Sequence, residues 1–255
     1  MPMLLGEMTW PAFDDATRDP APGAGVVIVP VGAVEPHGPH LPLAADTMIS
    51  DYFAGRLARD LSGALVAPTI GYGVATPPQR LGGEFPGVLN LSGEVFTRLV
   101  TEVLTGLACH GLRRLVVVNS AIDNISFLCE AARIVTAAVP GARVMIVNWW
   151  DVVGEDFRDT LAAETGVARD VDHHAGMVES SLVMHIAPRT TRPAPEGPAG
   201  CPPRRFTYHL FPLPADAATS DGVVYTAVGS SPAIGERVAE QVARRLADAV
   251  RQEMR

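Results

Sequence analysis

Residues 25–31 read GVVIVPV, and the fold follows from how this run is interpreted. It is continuously apolar rather than alternating, the pattern of a strand buried on both faces of a sheet. A polar, proline-rich stretch, GAVEPHGPHLPLAAD, follows over residues 32–46. Residues 47–61 then set Ile49, Phe53, Leu57 and Leu61 on one face of a helix. A strand, a loop and a helix in that order open a parallel sheet, because the next parallel strand needs a crossover to return.

The same alternation continues along the chain. Residues 64–70 form a second strand candidate, and residues 93–108 a helix entered at Ser92 as N-cap. Residues 114–118 (RLVVV) form a third strand, and residues 124–138 a helix closed by Pro140. Residues 143–147 form a fourth strand, and residues 175–186 and 231–253 two more helices. This order predicts a mostly parallel α/β sheet with helices on both faces. Residues 71–93 and 188–214 read as irregular excursions of the kind that often carry binding loops. Neither marks a domain boundary, so residues 1–255 are read as one domain. No internal repeat and no glycine-rich phosphate loop is present.

The bulk properties narrow the function. Of 255 residues, 47% are hydrophobic and 19% charged, which excludes a disordered chain. The formal net charge of -8 argues against nucleic acid or an anionic membrane surface as a partner, since both demand clustered positive charge. All 20 basic residues are Arg, read as a coding bias. No apolar run reaches the roughly 18 residues that span a bilayer, and no secretory signal pattern opens the chain; a cytoplasmic protein is expected. Cys109, Cys129 and Cys201 form no CxxC or Cys/His cluster, which argues against a structural zinc site. Cys109 and Cys129 lie in apolar helical stretches and are expected to be buried thiols.

The residues able to do chemistry fall just after the strands, where open α/β sheets bind ligands. Glu35, His37 and Asp46 follow the first strand. Mixed carboxylate and imidazole donors suit Zn²⁺, Mn²⁺ or Fe²⁺; the alternative is that Asp46 caps the next helix and the other two are ordinary loop residues. Asp123 stands at the turn after the third strand, as a pocket carboxylate or as an N-cap. Trp149 and Trp150, after the fourth strand, could wall a pocket for a small ligand or simply pack the core. His174 is placed at a helix N-terminus, which favours the neutral ring needed for base chemistry, and Glu179 lies on the helix that follows.

Together these segments resemble the creatininase (creatinine amidohydrolase) family. PVGAVEPHGPHLPLAAD, residues 30–46, is similar to the family signature PVGS-x-EQHGPHLPL-x-x-D. FPGV at residues 85–88 resembles FPGT, His110-Gly111 and the strand after it resemble the run into the family's NGH, and Trp149-Trp150 resembles a recurring WW. His174-Ala175-Gly176 with Glu179-Ser180-Ser181 resembles HAGE-x-ETS. The resemblance implies a three-layer α/β/α sandwich, usually assembled as a homo-oligomer and often a hexamer. It implies one or two divalent metals and hydrolysis of an amide or cyclic amide: opening creatinine, deformylating a pyrimidine intermediate, or trimming a precursor peptide. By position it implies Glu35, His37, Asp46 and Asp123 as metal ligands, and His174 and Glu179 as catalytic.

Three departures qualify that picture. The family's NGH reads Asn119-Ser120-Ala121 here, and a methyl group cannot ligate a metal. Asp123 is one methylene shorter than the family's glutamate, and Met177 stands where many members have an acid. One well-bound ion per chain is therefore expected, unless His173 or His40 reaches in. The expected activity is hydrolysis of a C–N bond in a small molecule or modified peptide. A retasked, non-hydrolytic enzyme and a non-catalytic binding protein are the alternatives.

Overall fold

A computed structural model describes residues 3–18, 25–74, 85–198 and 221–255. Its sheet contains β1 (Met3–Leu4), β2 (Val26–Val31), β3 (Leu65–Val66), β4 (Arg114–Asn119) and β5 (Arg143–Asn148). Their spatial order is β1-β3-β2-β4-β5, and all four pairings are parallel. β2 is central, and its six residues are all buried, as the unbroken apolar run predicts.

The helices are α1 (Trp10–Arg18), α2 (Ala45–Asp60), α3 (Gly93–Cys109), α4 (Ile125–Ala138), α5 (Glu155–Thr165), α6 (Met177–Ile186) and α7 (Pro232–Glu253). Strand alternation divides the core in two. Ile28, Val116, Val118 and Val147 face α2, α6 and α7, meeting Ile49, Phe53, Leu182 and Val242. Val27, Val29, Leu115 and Val117 face α3 and α4, meeting Phe96, Val100, Leu128 and Ala131. The result is the expected α/β/α sandwich. Ser92 caps α3 as its position implies, accepting a hydrogen bond from the Val95 N–H. Ser231 caps α7 in the same way, with Pro232 at the first helical position. α6 and α7 cross closely at Gly235, where a Cβ would lie 1.9 Å from the Ser181 carbonyl oxygen.

Several features were not legible beforehand. α1 and α5 fall outside the predicted elements: α1 buries no residue fully and α5 only Leu161. The two acids in the first turn of α5 are the signal that could have marked it. The second strand candidate is shorter than expected, with Ile70 joined to Val31 only by an isolated bridge. The expectation of buried thiols at Cys109 and Cys129 is corrected: both are exposed. Each directly follows an inward residue, Ala108 or Leu128, and one helical step of about 100° turns it toward solvent. Cys201 and much of 188–214 lie outside the described residues. Among the described residues no helix is long and apolar enough to cross a membrane.

Candidate metal centre

The segment joining β2 to α2 is folded back on itself. The Glu35 N–H donates to the Leu43 carbonyl at 3.0 Å, and the Leu89 N–H donates to the Val34 carbonyl at 3.2 Å. This brings Glu35 and His37 over the first turn of α2, where Asp46 is 1% exposed. Asp46 does not cap the helix. The N-cap is Ala44, without a side-chain cap bond, and Asp46 Oδ2 is buried with no hydrogen-bond partner. A second arm arrives from the N-terminus of α6 with His174 and Glu179.

Two sets of ligand atoms converge, each within 4.8 Å: Glu35, His37 and His174 form one, and His37, Asp46 and Glu179 the other. His37 Nε2 lies 3.3 Å from Asp46 Oδ1 and 3.8 Å from Glu179 Oε2. His174 Nδ1 lies 3.5 Å from Glu35 Oε1. The other nitrogen of each ring is tied to the backbone: His37 Nδ1 sits 3.2 Å from the Glu35 carbonyl and His174 Nε2 2.7 Å from the Pro36 carbonyl. A carbonyl only accepts, so those nitrogens carry the hydrogens. The nitrogens facing the carboxylates keep their lone pairs when the rings are neutral. A backbone carbonyl that fixes the tautomer is the usual support of a metal-ligating histidine.

The electrostatics favour a cation. Burial by itself lowers the His37 pKa, but Asp46, then Glu179 and Glu35, outweigh it and raise it to about 10. Burial raises Asp46 well above the usual carboxylate range despite His37 beside it. His174 is pushed down by burial and by His37, so it stays neutral. Buried carboxylates with orphaned oxygens are costly unless a cation compensates them. The donor set fits a divalent metal of the borderline class, and the chain thus has the capacity to bind one.

The remaining predicted residues are more dispersed. Asp123 lies in the short 3₁₀ turn Ile122–Asn124 after β4, half-buried, and belongs to neither ligand set. α4 takes no side-chain cap from Asn124. Asn124 instead donates to the Gly32 carbonyl and to Asn119 Oδ1 and accepts from the Val74 N–H, tying together the ends of β2 and β4. Trp149 is 4% exposed, packed into the core and stacked on Phe53 at 6.4 Å; Trp150 meets it edge-on and is half-buried. Neither His173 nor His40 joins the ligand sets. His173 is exposed and bonds the Asp170 carbonyl.

His40 forms a contact that sequence reasoning missed. Ser180 gives its hydroxyl proton to the Ala175 carbonyl at 3.1 Å and accepts from His40 Nε2 at 2.7 Å. This joins the β2–α2 loop to α6 across 140 residues, beneath Ala175, whose φ of 53° is left-handed. Asp172 was also missed: both its oxygens accept from the Val178 N–H at 3.3 Å, and burial pushes its carboxyl up to about 6. No periodicity announces the His40–Ser180 pairing, 140 residues apart; only the polar residues themselves were visible.

Comparison with known proteins identifies the family. A sequence model of the family described as "Creatininase: Creatinine amidohydrolase" matches residues 6–250. The chain belongs to the creatininase family. It is 30% identical to creatinine amidohydrolase of Pseudomonas putida over 98% of this chain and 97% of that one. It is 33% identical to the mycofactocin precursor peptide peptidase of Mycobacterium tuberculosis over 65% of this chain and 60% of that one. A solved structure titled "Creatininase Mn" superposes with a TM-score of 0.86 at 29% identity, covering 99% of both chains. Membership of the creatininase family places this chain among hydrolases, and the two converging ligand sets are its metal-binding feature.

Proposed function

We propose that this protein is a metal-dependent hydrolase that breaks a C–N bond in a small amide, cyclic amide or modified peptide. One observation carries the proposal: His37 Nε2 and Asp46 Oδ2 are buried and lack hydrogen-bond partners, where His37, Asp46 and Glu179 converge. Glu35, His37 and Asp46 would hold the ion, with Glu179 beside them. A bound divalent ion there supplies electrophilic activation of a carbonyl and of the attacking water. One ion per chain is favoured because both ligand sets draw on His37, which has a single free nitrogen. Ala121, in the place of the family's NGH histidine, weakens any second position, and Asp123 would need to extend to contribute.

The protein's own groups then supply binding and proton transfer. His174, held neutral by burial and oriented by the Pro36 carbonyl, is poised to take a proton at Nδ1 and pass it to the leaving nitrogen. Glu179 Oε2 accepts from the Ala175 N–H at 2.7 Å, which holds it in place beside His37. Trp149 and Trp150 would shape the pocket, Trp150 half-buried at its edge and Trp149 buried beneath it.

A non-hydrolytic reaction on the same scaffold is the second reading, motivated by Ala121. The deciding experiment is metal analysis of protein purified without chelator, followed by a screen of cyclic and linear amides in ¹⁸O-labelled water. About one ion per chain, with solvent oxygen in the product and loss of turnover on chelation, supports hydrolysis. Turnover without label favours the second reading. Protein that takes up no metal, or turnover untouched by chelation, sinks the metallohydrolase.

A further inference from the structure

We propose that Ser120 and Trp149 form a polar subsite on the floor of the metal pocket, where they receive an acceptor oxygen of the bound substrate. This deepens the amidohydrolase proposal and rests on it.

Ser120 is 4% exposed and Trp149 is 4% exposed. Ser120 Oγ and Trp149 Nε1 are both buried without a hydrogen-bond partner among the described residues. Buried hydroxyl and indole N–H groups normally find partners, so two such groups side by side need a physical explanation. The sheet places them together. Asn119 pairs with Asn148 in the β4–β5 register, and the Trp149 N–H continues that ladder by donating to the Asn119 carbonyl. The next residues, Ser120 and Trp149, therefore sit opposite each other. Side chains alternate along a strand, so Ser120 shares the face of Val118, and Trp149 the face of Val147. Both faces look toward α2.

The same register connects this pair to the metal ligands. Val31 pairs with Asn119, and the Ser120 N–H donates to the Val31 carbonyl, so Gly32 is the neighbour of Ser120 on β2. A Cβ on Gly32 would lie 2.5 Å from the Thr47 nitrogen, which puts the first turn of α2, and with it Asp46, directly over Gly32. At about 4.8 Å per strand, Ser120 and Trp149 lie roughly 5 and 10 Å along the sheet from that point. Phe53, seven residues after Asp46 on the same face of α2, closes the far side by stacking on Trp149. The indole N–H can only donate and the hydroxyl can donate beside it. Two donors on neighbouring strand ends suit a carbonyl or carboxylate oxygen.

The test uses full-length, metal-loaded protein and the variants Ser120→Ala and Trp149→Phe, which delete the polar atoms while keeping most of the packing. The probes are creatinine, hydantoin and 2-pyrrolidinone, read by KM where they turn over and by Kd otherwise. Indole ¹⁵N–¹H spectra are recorded alongside, with Trp149→Phe assigning the Trp149 signal. Ser120→Ala, which removes a donor without a partner in the free protein, leaves the substrate-free melting temperature unchanged or raised, whereas Trp149→Phe also loses core packing and lowers it. Each variant weakens the probe about five- to tenfold, and the Trp149 indole proton moves when probe saturates the parent. Normal probe affinity in both variants overturns the subsite alone. A melting temperature lowered by several degrees in Ser120→Ala assigns Ser120 to a structural role and also overturns it. Failure of the parent to bind or turn over any amide overturns the amidohydrolase proposal beneath it.

Discussion

His37 Nε2 lies 3.3 Å from Asp46 Oδ1 with both side chains closed to solvent. The pair keeps a proton in the metal-free protein, because burial raises Asp46 and the surrounding carboxylates raise His37 to about 10. An ion taking the His37 lone pair must expel that proton. Zinc or manganese binding at pH 7.5 should release about one proton per ion. Titration calorimetry in buffers of different ionisation enthalpy measures this directly; an enthalpy that does not vary with the buffer removes His37 from the ligand set.

The same shifts fix how stability responds to pH. Both pKa values are raised in the folded state, so the native protein binds more protons than the unfolded chain. The His37 contribution is complete below its unfolded value near 6.5 and is lost as pH climbs toward about 10. The raised Asp46 pulls in the same direction. Melting of chelator-treated protein should therefore fall steadily from pH 6.5 to 9.5, while ion-loaded protein holds level. A melting temperature that rises across this window in the chelated protein contradicts the assigned proton.

Ala121 is 3% exposed and held by backbone bonds to the Asn119 side chain. Ala121→His should raise bound metal from about one to about two ions per chain, counted by elemental analysis after dialysis. Unchanged stoichiometry in a folded variant would show that this position does not border the metal pocket.

The His40–Ser180 bond spans the two ligand-bearing segments, so its loss should be felt in both stability and metal affinity. His40→Leu and Ser180→Ala should each cost about 1–3 kcal/mol in urea unfolding. The double variant should cost clearly less than the sum, since one bond is removed twice. Additive losses would mean that the two residues act separately.

Gly235 lies against the Ser181 carbonyl where α6 and α7 cross. Gly235→Val must force these helices apart and should destabilise by about 2 kcal/mol or more. Because α6 carries Glu179, metal affinity should weaken with it, as measured by chelator competition. A variant as stable as the parent would show that the two helices can separate at this crossing without cost.

The sequence carried the fold because the fold rests on local periodicity. The apolar run at β2 and the i, i+4 stripe of α2 need no distant partner to be recognised, and Ser92 marks its helix by chemistry alone. Glu35, His37 and Asp46 were legible because they share one short loop after a strand. α1 and α5 escaped because neither carries a set of fully buried residues: α1 buries none and α5 only Leu161.

What only the tertiary structure decided is which polar groups meet. Asp46 had two readings open, helix cap or buried ligand, and the path of the loop back over α2 separates them. Cys109 and Cys129 are exposed by one helical step, which composition cannot resolve. His40 finds Ser180, and Ser120 falls beside Trp149, because strand register and helix crossing bring together segments far apart in the chain. Periodicity is a property of neighbours along the backbone, whereas a metal pocket is a property of neighbours in space. That is why the sequence alone specified an α/β sheet with acids and histidines at its carboxyl edge, and why only the packed sheet and its two flanking helices decided which of them share a proton.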